Sequence, residues 1–294
     1  MDRRNFLKTG GIALLGSLAT GSAMALTTPG ALGGEGADKK AAVALAMNHF
    51  GVSEADLKKV LAAALEKGGD YADLFFEHTI SNSIRLMDGA VNNSYSNIDY
   101  GVGVRVLTGD QSGYAYVENI TVEDMLKAAR TAARIASANK GNKPLNLTEK
   151  ELKKNYYTVA SPWEEVSLKD KMPYLQKLND RIFALDKRVH KVQASQSDTT
   201  SHIFFCNSEG VMFYDYRPMV TLGAVCIMEE DGKTENGYAA RAYRRGFDFL
   251  SDEVVDVIAR EAVDQTSLLF KAIKPKGGDC LLYTSPSPRD TERS

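Results

Sequence analysis

The sequence predicts an α+β fold: largely antiparallel sheets with flanking helices, arranged as two sequential strand-set/helix units. Three observations carry this. Strand-like runs are bracketed by amphipathic helical stripes instead of alternating with them one for one. Tight turn signals such as Asp88-Gly89 join neighbouring runs, and a two-residue turn can only join antiparallel strands. Both strand sets also end in a Gly-Tyr-Ala run just before a closing helix, Gly113-Tyr114-Ala115 and Gly237-Tyr238-Ala239. That echo suggests internal duplication, although matches this short also arise by chance.

Helical pattern starts near Asp38. Ser53 then caps a second helix, with Asp56 three residues on as an acidic capping box. Leu57, Val60, Leu61, Ala64 and Leu65 form its apolar stripe, and Gly68-Gly69 stops it. Strands are expected over 71–79, 83–87, 90–96, 101–107 and 113–117. In the fourth, Val102, Val104 and Val106 share one face. Thr121, with Asp124, caps the next helix through Met125, Ala128, Ala129, Ala132 and Ile135. A further helix covers about 171–185. Asp170 is its expected cap, because Pro173 belongs in a first turn where its missing N–H costs nothing. A second strand set covers about 188–245, with turns at Asn207–Gly210 and Asp231-Gly232, and Ser251 caps the last helix.

Both ends of the chain stand apart from this body. Arg3-Arg4 begins a twin-arginine box, followed by a weakly apolar run and by Ala23-Met24-Ala25, small residues at the positions a signal peptidase reads. The expectation is a twin-arginine signal peptide over 1–25, with recognition at Arg3 and Arg4 and cleavage at Ala23 and Ala25. This implies a periplasmic or exported protein. The run is too short and too Gly-rich for a stable membrane span. At the other end, residues 280–294 resemble the in-frame translation of a transposase-based sequencing adaptor. On that reading the natural frame is interrupted after Asp279 and the chain is a fragment. The organisation expected between them is a flexible leader over 26–37, an N-terminal α+β domain over 38–140, a linker over 141–165 and the start of a second α+β domain over 166–279.

Composition narrows the function classes. The chain has 294 residues, 44% hydrophobic and 25% charged, as globular proteins do. A formal net charge of −2 lacks the basic excess of a nucleic-acid-binding domain. No P-loop, nucleophile elbow or complete dinucleotide motif is present. A helical zinc site needs two histidines one turn apart, so that both nitrogens reach one ion. His49, His78, His190 and His202 have no such spacing, so each reads as structural or surface, and no metal or catalytic residue is assigned. Cys206 and Cys226 sit in apolar strand runs and read as small buried hydrophobes.

Three segments in order carry a resemblance. They are Gly69-Asp70-Tyr71-Ala72-Asp73-Leu74-Phe75-Phe76-Glu77, then Asp99-Tyr100-Gly101-Val102-Gly103-Val104-Arg105-Val106, then Gly113-Tyr114-Ala115-Tyr116-Val117. Together they resemble the N-terminal region of the TldD/PmbA family of zinc metalloproteases and partner subunits. The resemblance implies a metallopeptidase acting on unfolded peptides. Its zinc-binding His-Glu-x-x-x-His helix lies beyond this sequence, so the zinc belongs to the full-length parent and no catalytic residue carries over. It also implies homo- or hetero-dimers enclosing a chamber, with exposed strand edges able to hold a peptide by β-addition. Arg105 and Glu118 could face such a channel or plain solvent. Two other readings stay open: a metal-free partner subunit of the same family, and a non-catalytic periplasmic binding or scaffolding protein.

Overall fold

The computed structural model describes residues 39–136, 148–149, 159, 161–273 and 277. The signal residues Arg3, Arg4, Ala23 and Ala25, the leader, the tail over 280–294 and most of the expected linker lie outside them. The elements run α1 (Lys39–Phe50), α2 (Glu54–Ala64), β1 (Tyr71–Met87), β2 (Ala90–Thr108), β3 (Gln111–Val117), α3 (Val122–Ile135), β4 (Thr148–Glu149), α4 (Leu168–Leu185), β5 (Val189–Asn207), β6 (Val211–Glu230), β7 (Lys233–Tyr243) and α5 (Asp252–Phe270). The long strands form one antiparallel sheet in the order β3-β2-β1-β5-β6-β7, and the short β4 adds in parallel at Val211 and Met212 of β6. The fold is α+β, as the sequence predicts.

Local chemistry sets most element ends. The Ser53 hydroxyl accepts from the Asp56 amide at 3.2 Å while Asp56 accepts from the Ser53 amide at 3.0 Å, satisfying two donors that open α2. Thr121 and Ser251 accept in the same way at the starts of α3 and α5. Asp88 and Asp231 adopt positive φ, each followed by a positive-φ glycine, as a tight hairpin turn requires. The start of α4 differs from expectation. Its cap is Ser167, whose amide and hydroxyl both donate to the Asp170 carboxylate at 3.1 and 2.5 Å. Asp170 therefore sits three residues inside, and Pro173 falls within the helix on an exposed position.

The strands also run further than their apolar stretches suggest. The expected breaks near 80–82 and 97–100 do not interrupt β1 or β2. Polar residues there bond across the strands: Ser81 and Thr199 hydroxyls lie 3.1 Å apart, and Asn82 donates to Asp198 at 2.9 Å. Strands β1 and β5 consequently pair without a register shift from Asp73↔Asn207 to Met87↔Gln193, joining both sequence halves in one sheet.

All helices that pack on the sheet bury apolar residues from the same face of β1. One core gathers Ala72, Leu74 and Phe76 under α2 and α3, with Leu57, Val60 and Met125 fully buried. The other gathers Ile84 and Leu86 under α4 and α5, with Leu178, Ile182 and Ile258. Cys206 falls in the first and Cys226 in the second, both as buried free thiols. Each large side chain so buried contributes about 1.5–3 kcal/mol.

The units are related by an approximate two-fold axis. In β1 and β2, counterparts in β5 and β6 lie 120 positions on, as with Ala72 and Val192 or Gly103 and Gly223. The axis passes through the pair Ile80↔Thr200. The Gly-Tyr-Ala echo has a structural basis. A Cβ on Gly113 would strike the Ala132 carbonyl of α3, and one on Gly237 would lie 2.6 Å from Thr266 Oγ1 of α5. Each following tyrosine covers a glycine of the neighbouring strand, Tyr114 over Gly103 and Tyr238 over Gly223.

Candidate functional site

Between the two cores, the helix-bearing face of the sheet turns polar. Tyr100 of β2, His78 of β1, His202 of β5 and Tyr216 of β6 pair in one row across four strands. Directly paired residues of antiparallel strands share a face, so the four rings stand side by side. Helix α1 lays His49 over this row. Val43, Ala46 and Phe50 anchor α1, and Phe50 packs 5.4 Å from Phe76, one row away. Gly51, at φ +66, ends the helix there. The His49 ring stacks on His202 at 4.5 Å, and its Nε2 lies 2.8 Å from His78 Nδ1.

A carboxylate completes the group. Glu164 belongs to a short 3-10 turn, Trp163–Glu165, fixed by the buried Trp163 indole donating to the Arg245 carbonyl at 2.8 Å. Its Oε1 lies 2.9 Å from His202 Nε2, and its Oε2 accepts from Tyr216 at 3.1 Å and Thr200 at 3.3 Å. The Tyr214 hydroxyl lies 2.7 Å from His202 Nδ1. Across the axis is a second polar group. Lys171 of α4 donates to Asp198 at 2.6 Å, with both residues almost fully buried. Asn82 and Gln196 each donate to the same carboxylate at 2.9 Å, and the lysine ammonium lies 5.3 Å from the Trp163 ring centre.

These surroundings shift the titrating groups. Burial, then the neighbouring His202 and His78, lower the His49 pKa from 6.5 to about 4, with Glu164 opposing weakly. His78 is lowered by burial and by His202. Burial pushes the Glu164 carboxyl up, but hydrogen bonds donated by His202, its own backbone amide and Tyr216 hold it below the ordinary range. Burial and Glu164 raise both Tyr214 and Tyr216.

The sequence alone misses this assembly. Three of its four histidines, each read as structural or surface, meet here, because His78 and His202 are neighbours only through the β1–β5 register. His190 stays apart and exposed, 4.0 Å from Glu229. Arg105 pairs with Asp73 at 2.6 Å on the opposite face, and Glu118 is exposed. The histidine group does not fit a metal ion. His49 and His78 turn nitrogens on each other at hydrogen-bond distance, and both His202 nitrogens are taken. Among the described residues, no group of three or more His, Cys, Asp or Glu is arranged to hold one. A cleft of about 390 Å³ lies elsewhere, between Lys169, Tyr174, Lys177, Phe247 and Asp252. No helix among the described residues is long and apolar enough to cross a membrane.

Comparison with known proteins places this architecture. The first domain of the PmbA/TldA metallopeptidases matches residues 72–136, and the central domain of the same family matches 161–270. A Haemophilus influenzae protein named as a metalloprotease TldD homolog is 31% identical over 219 residues, 71% of this chain and 45% of that one. A Methanocaldococcus jannaschii metalloprotease is 26% identical over 219 residues, 71% of this chain and 47% of that one. The chain thus spans about half the length of the curated relatives it matches. Two solved structures share the fold at low identity. A Thermotoga maritima protein named for a modulator of DNA gyrase aligns at TM-score 0.60 and 18% identity, over 76% of this chain and 50% of that one. TldE from Thermococcus kodakarensis aligns at 0.54 and 16%, over 72% and 47%. With both family domains present in order over more than half of its length, the chain belongs to the PmbA/TldA metallopeptidase family.

Proposed function

We propose that this chain is the N-terminal portion of an exported zinc metallopeptidase acting on unfolded peptides, with the zinc motif in sequence beyond it. The observation that carries the reading is the ordered match to the first and central family domains, over about half the length of relatives named as metalloproteases. The described residues bear no site that fits the zinc, so no chemical step is assigned to them. Their role in the reading is to bind and position substrate beside a catalytic centre supplied elsewhere. One element suits that role. Residues 90–100 of β2 are exposed throughout, and β3 covers only the later part of that strand's outer edge. Among the described residues the rest of that edge is unpaired, and it offers backbone donors and acceptors that an extended peptide can pair with, whatever its side chains.

The test compares residues 26–279 with the same chain extended through the uninterrupted downstream gene. The short form binds no stoichiometric zinc and leaves an unfolded casein substrate intact. The extended form gains both zinc and chelator-sensitive hydrolysis. Zinc-free, inactive extended protein would instead support the partner-subunit role. Chelator-sensitive hydrolysis by the short form would overturn the reading.

A further inference from the structure

The histidine group has an imbalance of charge built into it. Among the described residues, the titratable groups facing it are His78 from β1, Tyr100 from β2, His202 from β5, Tyr214 and Tyr216 from β6, and Glu164 from the 3-10 turn. Only one of these is a carboxylate, and it is already hydrogen-bonded to His202. The tyrosines stay neutral at any physiological pH, since burial raises all three. A single imidazolium can therefore be matched by Glu164. Further protons place like charges in rings 4.5 to 5.9 Å apart, opposed among the described residues only weakly by Glu164, which is already engaged by His202. The C-terminal dipole of α1 favours positive charge on His49, but a partial charge at a helix end offsets only part of that repulsion.

The elements holding these rings are unequal. His78 and His202 lie on central strands that are hydrogen-bonded on both sides. His49 lies on α1, which is anchored by Val43, Ala46 and Phe50. His49 also keeps an exposed edge, so protons reach it from solvent. Repulsion is relieved at least cost by moving α1.

We infer that His49, stacked on His202 and hydrogen-bonded to His78, is an acid-operated latch, which holds α1 on the sheet while His49 and His78 are neutral and releases it when they gain protons. Release lifts Phe50 from Phe76 and Phe204, so acid also uncovers an apolar aromatic surface beside the histidine row. The sign follows from the direction of the shifts. His49 and His78 are held neutral by the docked state and bind protons more readily once α1 is free. Docking is therefore complete above the ordinary histidine range and weakens as pH falls through it toward about 4.

Hydrogen exchange on the whole chain tests this. Amides of residues 42–50 are compared with those of α4 at pH 7 and at about pH 4.5, corrected for intrinsic rates. Protection in α1 should fall by about tenfold or more while α4 is unchanged. His49→Gln should keep α1 protected at pH 7 and remove most of the acid step. If that variant fails to dock, His78→Gln gives the same readout with α1 untouched. Unchanged α1 protection in acid would overturn the latch. So would a parallel loss in α4, or an acid step that persists undiminished in both variants.

Discussion

Lys171 and Asp198 form an ion pair that solvent hardly reaches, with Asn82 and Gln196 completing the carboxylate's hydrogen bonds. Removing one partner strands a buried charge, which costs about 3–5 kcal/mol, whereas replacing both with apolar residues can be nearly neutral. Lys171→Met alone should therefore lower the urea-unfolding free energy by about that much. Adding Asp198→Leu to it should recover most of the loss. Equal damage from the single and double variants would mean that packing, not charge, is what matters there. Residues differ in how far the sequence discloses their roles. Ser53, Thr121 and Ser251 are legible as caps because the groups they bond lie three residues away. Cys206 and Cys226 are legible from their apolar neighbours. His78 and His202 are not, because their contact depends on a register between strands more than 100 residues apart, and spacing along the chain carries no trace of it.

Among the elements, β2 departs most from expectation. The sequence reading gives two short strands, 90–96 and 101–107, although Ile98 and Tyr100 continue the alternation of Val102, Val104 and Val106 across the gap. In the structure this stretch is strand with exposed side chains, paired among the described residues to β1 along its inner side. The outer edge over residues 90–98 carries Asn and Ser but no Lys, Arg or Pro, the usual guards against edge-to-edge pairing. Ile98, 62% exposed, is its most prominent apolar side chain. Ile98→Lys should reduce self-association, read by light scattering at rising protein concentration. It should leave the melting temperature within about 2 °C, because surface changes usually stay within about 0.5 kcal/mol. A large fall in melting temperature would show that this edge matters to the fold itself.

The whole molecule has two cores on one face of one sheet, arranged about the axis at Ile80↔Thr200. The equivalence makes a paired prediction. Gly113 and Gly237 each allow a closing helix to lie directly on a strand. Gly113→Ala and Gly237→Ala should each destabilise by about 1–3 kcal/mol, the cost of overpacking, as measured by thermal unfolding. A neutral result at either would break the equivalence of the two units. The axis has one more consequence. Two identical copies of a single unit, docked with Ile80 opposite Ile80, would build the same central pairing, so the chain has the geometry of a homodimer written as one polypeptide. In such a homodimer every residue beside the axis recurs on the far side. Here the counterparts have parted: His78 corresponds to Asp198, and His202 to Asn82. Covalent joining is what permits three imidazoles to gather at one end of the axis and a buried ion pair at the other, a division of chemistry that two identical subunits could not hold.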